Sequence, residues 1–329
     1  MNRLITYSPA YTIVPTYECF NRCSYCNFRV DIGEGDVISL QSVSKILQKL
    51  DPKSVAEILV LSGETHPLSI NRSIWFTKVY EICQLSLSLG FLPHTNVGPL
   101  SWQEMKQLKE VNVSMGLMLE QVNPKFMRTV HKNAPNKQPA IRLQQLEWAG
   151  KLKIPFTTGL LLGIGETRSD VEDSLKAIAL IQRKWGHIQE VILQPHSIGR
   201  NQIAGIPTFN PQLLPEIIAL AKAILPNSIS IQIPPNLVPE SDFLLECLAA
   251  GASDLGGISP KDEVNPSYPH PTYDSLSKIL QPAGWNLKPR LPIYPQYFSW
   301  LSPKLRNAVL AKEKTLIWGK SDFSNKPVL

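Results

Sequence analysis

The stretch Tyr17-Glu18-Cys19-Phe20-Asn21-Arg22-Cys23-Ser24-Tyr25-Cys26-Asn27-Phe28 places three of the chain's five cysteines within eight residues. Thiolates at this spacing can ligate three irons of one cubane, whereas iron–sulfur clusters are normally closed by four cysteines. Three ligands leave one iron open to a molecule from solution, which points to a catalyst rather than an electron wire. The alternative is a Cys3His zinc site with a distant fourth ligand. Zinc knuckles usually pair two short ligand clusters, yet no second cluster follows, and the first histidine downstream is His66. Cys83 and Cys247 stand alone in apolar helical patterns and are expected in the core. The odd cysteine count argues against a disulfide framework and for a reducing compartment.

The cysteine stretch follows a short β-rich run at 11–15, the first of eight, the others being 56–61, 92–96, 111–119, 155–162, 190–195, 229–233 and 254–257. Between the runs apolar residues recur at helical spacing, as in Val43, Ile46, Leu47 and Leu50 or Val171, Leu175, Ile178 and Ile181. Ser101 and Glu104 form a capping box at the start of another helix. Strands alternating with helices imply a parallel sheet, and eight of them favour an α/β fold of the (βα)8 barrel type over a doubly wound sheet. The barrel is expected over residues 1–284. Proline density rises afterwards, with Pro289, Pro292 and Pro295, so 285–329 is expected to be a C-terminal extension with one short helix at 303–312.

Composition excludes several classes. At 329 residues and 43% hydrophobic content the chain can bury a large core. The N-terminus lacks an apolar core of signal-peptide length, and apolar stretches such as 156–164 are too short to cross a bilayer. A soluble cytoplasmic protein without membrane contact is therefore expected. The net charge is +6, but the 33 basic residues are scattered and form no stripe with interleaved aromatics, so no nucleic-acid partner is expected. The positive balance is equally suited to steering an acidic protein partner or reductant.

A barrel places its chemistry on loops after the C-terminal ends of its strands. The cysteine loop follows the first strand, Ser62-Gly63-Glu64 the second, and residues 163–166 the fifth. Asn96 ends the third strand, Glu120 the fourth, and Gln194 to His196 the sixth. All are expected to face one cavity.

Cysteines separated by three and then two residues are the signature of the radical S-adenosylmethionine superfamily, which this chain resembles. The resemblance implies a 4Fe-4S cluster held by Cys19, Cys23 and Cys26, with the amino and carboxylate groups of S-adenosylmethionine chelating the open iron. Reductive cleavage then yields a 5′-deoxyadenosyl radical, and the cofactor does the difficult abstraction. It also implies that Tyr25 packs near the adenine, unless it is simply a core aromatic. Ser62, Gly63 and Glu64 match the superfamily's Gly-Gly-Glu-like turn, whose backbone binds the methionine amino group. Ser62 in place of glycine is immaterial to a backbone contact. Glu120 would accept from ribose hydroxyls and Ile164 would meet adenine through its backbone, while Glu166 or Arg168 would reach the cofactor or close the site. The run at 159–167 lacks the third glycine and later acidic residue of a dinucleotide fingerprint.

Longer segments narrow the resemblance: Pro15-Thr16-Tyr17-Glu18-Cys19, Leu61-Ser62-Gly63-Glu64-Thr65-His66-Pro67, Pro93-His94-Thr95-Asn96-Val97-Gly98, Ser114-Met115-Gly116-Leu117-Met118-Leu119-Glu120, and Gly256-Gly257-Ile258-Ser259-Pro260-Lys261-Asp262-Glu263-Val264-Asn265-Pro266. Together they are similar to the first subunits of 7,8-didemethyl-8-hydroxy-5-deazariboflavin synthase, which make the deazaflavin chromophore of coenzyme F420. The resemblance spans about residues 5–290. It implies that a sister radical enzyme joins tyrosine's hydroxybenzyl fragment to 5-amino-6-(D-ribitylamino)uracil, and that this subunit closes the ring with loss of ammonia. An electron donor such as a ferredoxin or flavodoxin is implied as well. The substrate is neutral, aromatic and rich in hydroxyls, so its site should offer amides and imidazole beside apolar walls. Asn96, Gln194, His196, Asp262 and Asn265 are of the right types, and His196 is the candidate proton carrier because imidazole titrates near neutrality. The condensing subunit, a menaquinone-pathway relative, biotin-synthase-like sulfur insertion and a zinc-stabilised binding module are the competing readings. Sulfur insertion needs a second cluster, and Cys83 and Cys247 are a poor supply of ligands for one.

Overall fold

The computed structural model describes residues 3–202, 205–206, 208–238 and 240–316. The chain alternates strand and helix: β1 (Arg3–Ile13), α1 (Leu40–Lys49), β2 (Glu57–Leu61), α2 (Arg72–Ser88), β3 (Leu92–Asn96), α3 (Trp102–Leu108), β4 (Ser114–Gly116) and α4 (Pro139–Lys151). It continues with β5 (Phe156–Leu162), α5 (Arg168–Trp185), β6 (Ile188–Pro195), α6 (Leu214–Ile224), β7 (Ser230–Gln232), α7 (Ser241–Ala250), β8 (Asp254–Ile258), α8 (Tyr273–Leu280), β9 (Trp285–Pro289) and α9 (Pro303–Thr315). Every strand pairing is parallel; β2 through β8 pair in sequence order, and β1 bridges β8 and β2 to close an eight-stranded barrel. The (βα)8 expectation holds.

Local sequence explains most boundaries. Ser39 caps α1 by accepting from the Ser42 amide, and Val43 and Leu47 supply its buried stripe. The Ser101–Glu104 capping box at the start of α3 is present in both directions, and a second joins Thr167 and Asp170 at α5. Strand β5 is buried along its whole length, as expected when helices and lumen cover both faces. Each fully buried aliphatic side chain contributes about 1.5–3 kcal/mol, and the core runs continuously between the barrel wall and the helices.

Two strands differ from the sequence expectation. The fourth, expected over 111–119, is regular only at Ser114–Gly116, after which the chain rises towards the mouth and makes an isolated bridge from Glu120 to Leu160. The first, expected at 11–15, instead runs from Arg3 to Ile13. Its upper half, Ala10 to Ile13, pairs with β2, while its lower half, Arg3 to Tyr7, pairs with β9. The segment after Gly284 therefore returns to the first strand. Beyond β9, Leu291, Ile293, Tyr297, Leu305 and Val309 pack under Ala56, Leu92 and Val113 and seal the N-terminal end of the barrel. Residues 317–329 of the expected extension lie outside the described residues.

Candidate active site

Strand β1 delivers the cysteine loop to the C-terminal mouth, where its backbone is tied on three sides. The Cys19 amide donates to the Val30 carbonyl (3.2 Å), that of Phe20 to Glu64 (3.1 Å), and that of Arg22 to Asn133 (2.7 Å). A tight turn from the Cys26 amide to the Cys23 carbonyl (3.1 Å) separates the second and third cysteines. All three cysteines are free thiols lining one cavity. Burial pushes the Cys19 thiol up to about 11 and the Cys23 thiol up to about 12. A bound cationic metal inverts that preference, because coordinated thiols are deprotonated outright. Among the described residues no three His, Cys, Asp or Glu side chains crowd together as ligands of a single ion. Three free thiols lining one cavity fit, in their chemistry, a donor set for separate corners of a cubane.

Turn 62–64 packs directly against this loop. The amides of Ser62 and Gly63 are committed to the Asn96 and Thr16 carbonyls, at 3.4 and 2.9 Å. A Cβ at Gly63 would lie 2.0 Å from the Glu18 carbonyl oxygen, so only glycine permits this approach. The Glu64 side chain turns inward: its carboxylate accepts from Asn21 (2.7 Å) and Asn136 (2.9 Å), and pairs with Arg142 at 2.6 Å. Arg142 also donates to the carbonyls of Asn136 and Met118. Burial works against its charge, yet Glu64 and Glu120 hold its pKa above the usual value.

Glu120 adopts φ 66°, in the left-handed region that few non-glycine residues occupy, and such strain recurs at functional sites. Its carboxylate meets Lys137 at 2.5 Å. Burial raises the carboxyl, but Lys137 and Arg142 outweigh it and hold the group ionised below its ordinary range. Lys137 also lies 6.0 Å from the centroid of the Tyr25 ring, whose hydroxyl is 3.0 Å from His131 Nε2. Two carboxylates and two cations thus sit balanced beneath the cysteines.

The structure gathers most of the sequence-predicted residues. Tyr25, Ser62, Gly63, Glu64 and Glu120 line the cavity with the cysteines, as do Asn96, Gln194, His196 and Asn265. His196 Nε2 lies 3.2 Å from Gln202 Oε1, and its backbone amide donates to Leu162. Asp262 lies deeper, in the adjoining lower chamber, where it accepts from Asn236 and from the amides of Val264 and Asn265. Three residues stand elsewhere. Ile164 packs with Phe126 and Leu161 against Tyr25. Glu166 folds back to accept from the amides of Gly163 (2.5 Å) and Ile164 (2.9 Å). Arg168 pairs with Glu216 across an outer groove between α5 and α6.

Sequence reasoning passed over Asn21, Asn136, Lys137 and Arg142. A signal existed for the last: Arg142, Gln145, Leu146 and Ala149 recur at helical spacing on the buried face of α4, so two polar residues occupy core positions there.

A parallel barrel with three free thiols at its mouth and a glycine turn beside them defines a class, and the Radical SAM superfamily model matches residues 13–178, so the chain belongs to that superfamily. Proteins of this class work with a 4Fe-4S cluster and S-adenosylmethionine. Within it the chain belongs to the family of 7,8-didemethyl-8-hydroxy-5-deazariboflavin synthases. The synthase of Trichormus variabilis is 62% identical over 306 residues, covering 93% of this chain and 90% of that one. That of Trichodesmium erythraeum is 60% identical, covering 94% and 97%. Among solved structures, HydG, a maturase of the FeFe-hydrogenase, superposes with TM-score 0.73 at 13% identity over 94% of this chain and 69% of its own. Methylornithine synthase gives 0.68 at 15% identity over 91% and 86%. These two likenesses concern the fold alone. Among the described residues no helix is long and apolar enough to cross a membrane.

Proposed function

We propose that this enzyme performs the ring-closing half of deazaflavin synthesis, converting the 5-amino-5-(4-hydroxybenzyl)-6-(D-ribitylimino)-5,6-dihydrouracil adduct to 7,8-didemethyl-8-hydroxy-5-deazariboflavin with release of ammonia. The observation that carries this reading is a single lumen that unites three free cysteines, a glycine turn and strand-end amides, in a chain 62% identical to a protein named for that product. When bound, the cluster and S-adenosylmethionine supply a 5′-deoxyadenosyl radical able to take a hydrogen atom from the adduct.

Cys19, Cys23 and Cys26 hold the cluster. An iron-bound amine keeps only N–H donors, and since the Ser62 and Gly63 amides are spent inside the fold, the carbonyls of that turn would receive the methionine amino group. Glu120, held ionised by Lys137, accepts from ribose hydroxyls. Tyr25 and the backbone at Ile164 flank the adenine, and Glu166 acts on this surface indirectly by fixing the Gly163 and Ile164 amides. Arg168, tied to Glu216, braces the groove outside. Asn96, Gln194 and Asn265 orient the adduct, with Asp262 fixing Asn265, and His196 takes a proton from the phenol or gives one to the departing amine. The cytoplasm is the expected setting, with the condensing enzyme supplying the adduct and a ferredoxin or flavodoxin the electron.

The test is turnover by anaerobic enzyme with reductant and S-adenosylmethionine. The preformed adduct should yield a fluorescent deazaflavin, whereas turnover of free tyrosine in its absence would defeat the assignment. Metal analysis of the same preparation should give iron and sulfide, both lost in Cys23→Ala with the barrel still folded. One tight zinc and no iron would refute the cluster.

A further inference from the structure

Beneath the cysteine cavity the lumen opens into a second chamber with Arg290 and Pro292 at its floor, joined to the first past Asn96, Met118 and Gln194. Its chemistry differs from that above. Inward-facing positions of β2, β3, β5 and β6 supply Glu57, His94, Thr157 and Glu190, and β7 supplies Gln232. Arg290, the one arginine there, is spent on Asp254, at 2.6 and 2.8 Å, and on Glu190. The floor thus presents the carboxyl groups of Glu57 and Glu190, the latter also accepting from Thr157 at 2.7 Å and Tyr294 at 3.2 Å.

Three amides complete the lining. The side chains of Asn96, Gln194 and Gln232, half-buried and facing the chamber, make no hydrogen bond to any described residue. Gln232 is held in place from behind: Gly256, at φ 74°, lies so close that a Cβ there would meet its Nε2 at 2.2 Å. Polar groups that face a cavity without protein partners are free to bind a ligand or water. A ligand matching these walls must donate to carboxylates and both donate to and accept from amides at several points along its length. A chain of hydroxyls does this; an aromatic ring does not.

We infer that the lower chamber is a polyol subsite that receives the ribityl chain of the substrate, with Gln232 its chief specificity-determining residue and Gln194 at its entrance. The inference rests on the proposed function. It leaves the hydroxybenzyl end in the upper chamber, beside Tyr25, Met118 and Leu161 and next to the radical source. The C-terminal segment that carries Arg290 thereby becomes part of the substrate site.

The experiment titrates the holoenzyme with the fluorescent deazaflavin product and with its N10-methyl counterpart, which lacks the polyol. The ribityl compound should bind more tightly by about tenfold or more, the worth of one or two net hydrogen bonds. Gln232→Leu should lose roughly that factor for the ribityl compound while its affinity for the methyl compound changes less than about threefold. Gln194→Met repeats the measurement one layer higher should Gln232→Leu fail to fold. Equal affinity of the wild type for both compounds, as expected if the heterocycle rather than the chain occupied the chamber, overturns the inference. An equal loss of both in the variants overturns it too. Turnover of the ribityl adduct with no preference over an N-methyl adduct sinks the inference alone, whereas a polyol preference in binding with no turnover sinks only the assigned reaction.

Discussion

Glu64 and Arg142, 78 residues apart in sequence, meet as a buried ion pair 2.6 Å long directly beneath the cysteine loop. Glu64 belongs to the turn that supports the loop, and Arg142 to the inner face of α4. The pair joins the second strand's exit to the fourth helix, and through Asn21 and Asn136 to the loop itself.

Removing one partner strands the other charge in a dry site, at a cost of about 3–5 kcal/mol. Arg142→Met should lower the thermal midpoint by on the order of 10 °C. The double variant Glu64→Leu, Arg142→Met should recover part of that loss, because neither charge is left alone. A double variant no more stable than Arg142→Met would show that the pair is not the source of the effect.

Gly63→Ala places a methyl group against backbone that cannot swing aside, since its nearest neighbour is the Glu18 carbonyl oxygen. The barrel should fold, but the loop must shift. Iron retained after reconstitution should fall several-fold, with little change in circular dichroism. Full iron content would mean that the loop tolerates the displacement.

Glu120→Gln keeps the shape of the side chain while removing the charge that Lys137 balances. If Glu120 holds ribose hydroxyls, the KM for S-adenosylmethionine should rise about tenfold, the worth of a charged hydrogen bond, with a much smaller change in kcat. Loss confined to kcat would assign the residue a different role.

Burial raises the Glu190 carboxyl to about 7, against the lowering influence of Arg290 and with the help of Asp254. An acid whose folded pKa exceeds its unfolded value of 4.5 binds its proton more tightly in the native state. Its contribution is therefore complete below 4.5 and is lost as pH rises through about 7. Denaturant midpoints of the wild type should fall between about pH 5 and pH 8, and Glu190→Gln, which cannot ionise, should flatten that slope. Parallel profiles for the two proteins would assign the slope to other groups.

Leu305 is fully buried among Leu291, Ile293 and Tyr297 under the barrel floor. Leu305→Ala should destabilise the protein by about 2–5 kcal/mol, read by chemical denaturation. A cost near zero would mean that α9 sits loosely and that the floor does not depend on it.

What was legible was local. Cys19, Cys23 and Cys26 lie within one loop, so their spacing survives any folding of the rest, and strand β3 falls at Leu92–Asn96, as read from the sequence. The Ser101–Glu104 capping box was equally readable, since both partners lie within one helical turn. The fourth strand misled because its apolar run continues past Gly116 without a ladder, the chain leaving regular pairing as it climbs towards Glu120. The partners of Glu166 and Arg168 were not legible for a related reason. Sequence position put them after the right strand, but side-chain direction is set by the nearest partners, which proved to be the Gly163 and Ile164 amides and Glu216.

The amino-acid sequence by itself determined the barrel, the cysteine loop and the order in which strand ends deliver polar groups to one mouth, because each follows from periodicity or spacing within a few residues. Only the tertiary structure decided which charges are paired beneath the cysteines and what closes the lumen below. Glu64 could have met any of 33 basic residues, and nothing in the tail's composition says that β9 returns to β1 or that Arg290 enters the floor. Such pairings are set by burial: in a low-dielectric interior a charge must find its counterpart or remain outside, and which counterpart is within reach depends on how the whole chain has packed.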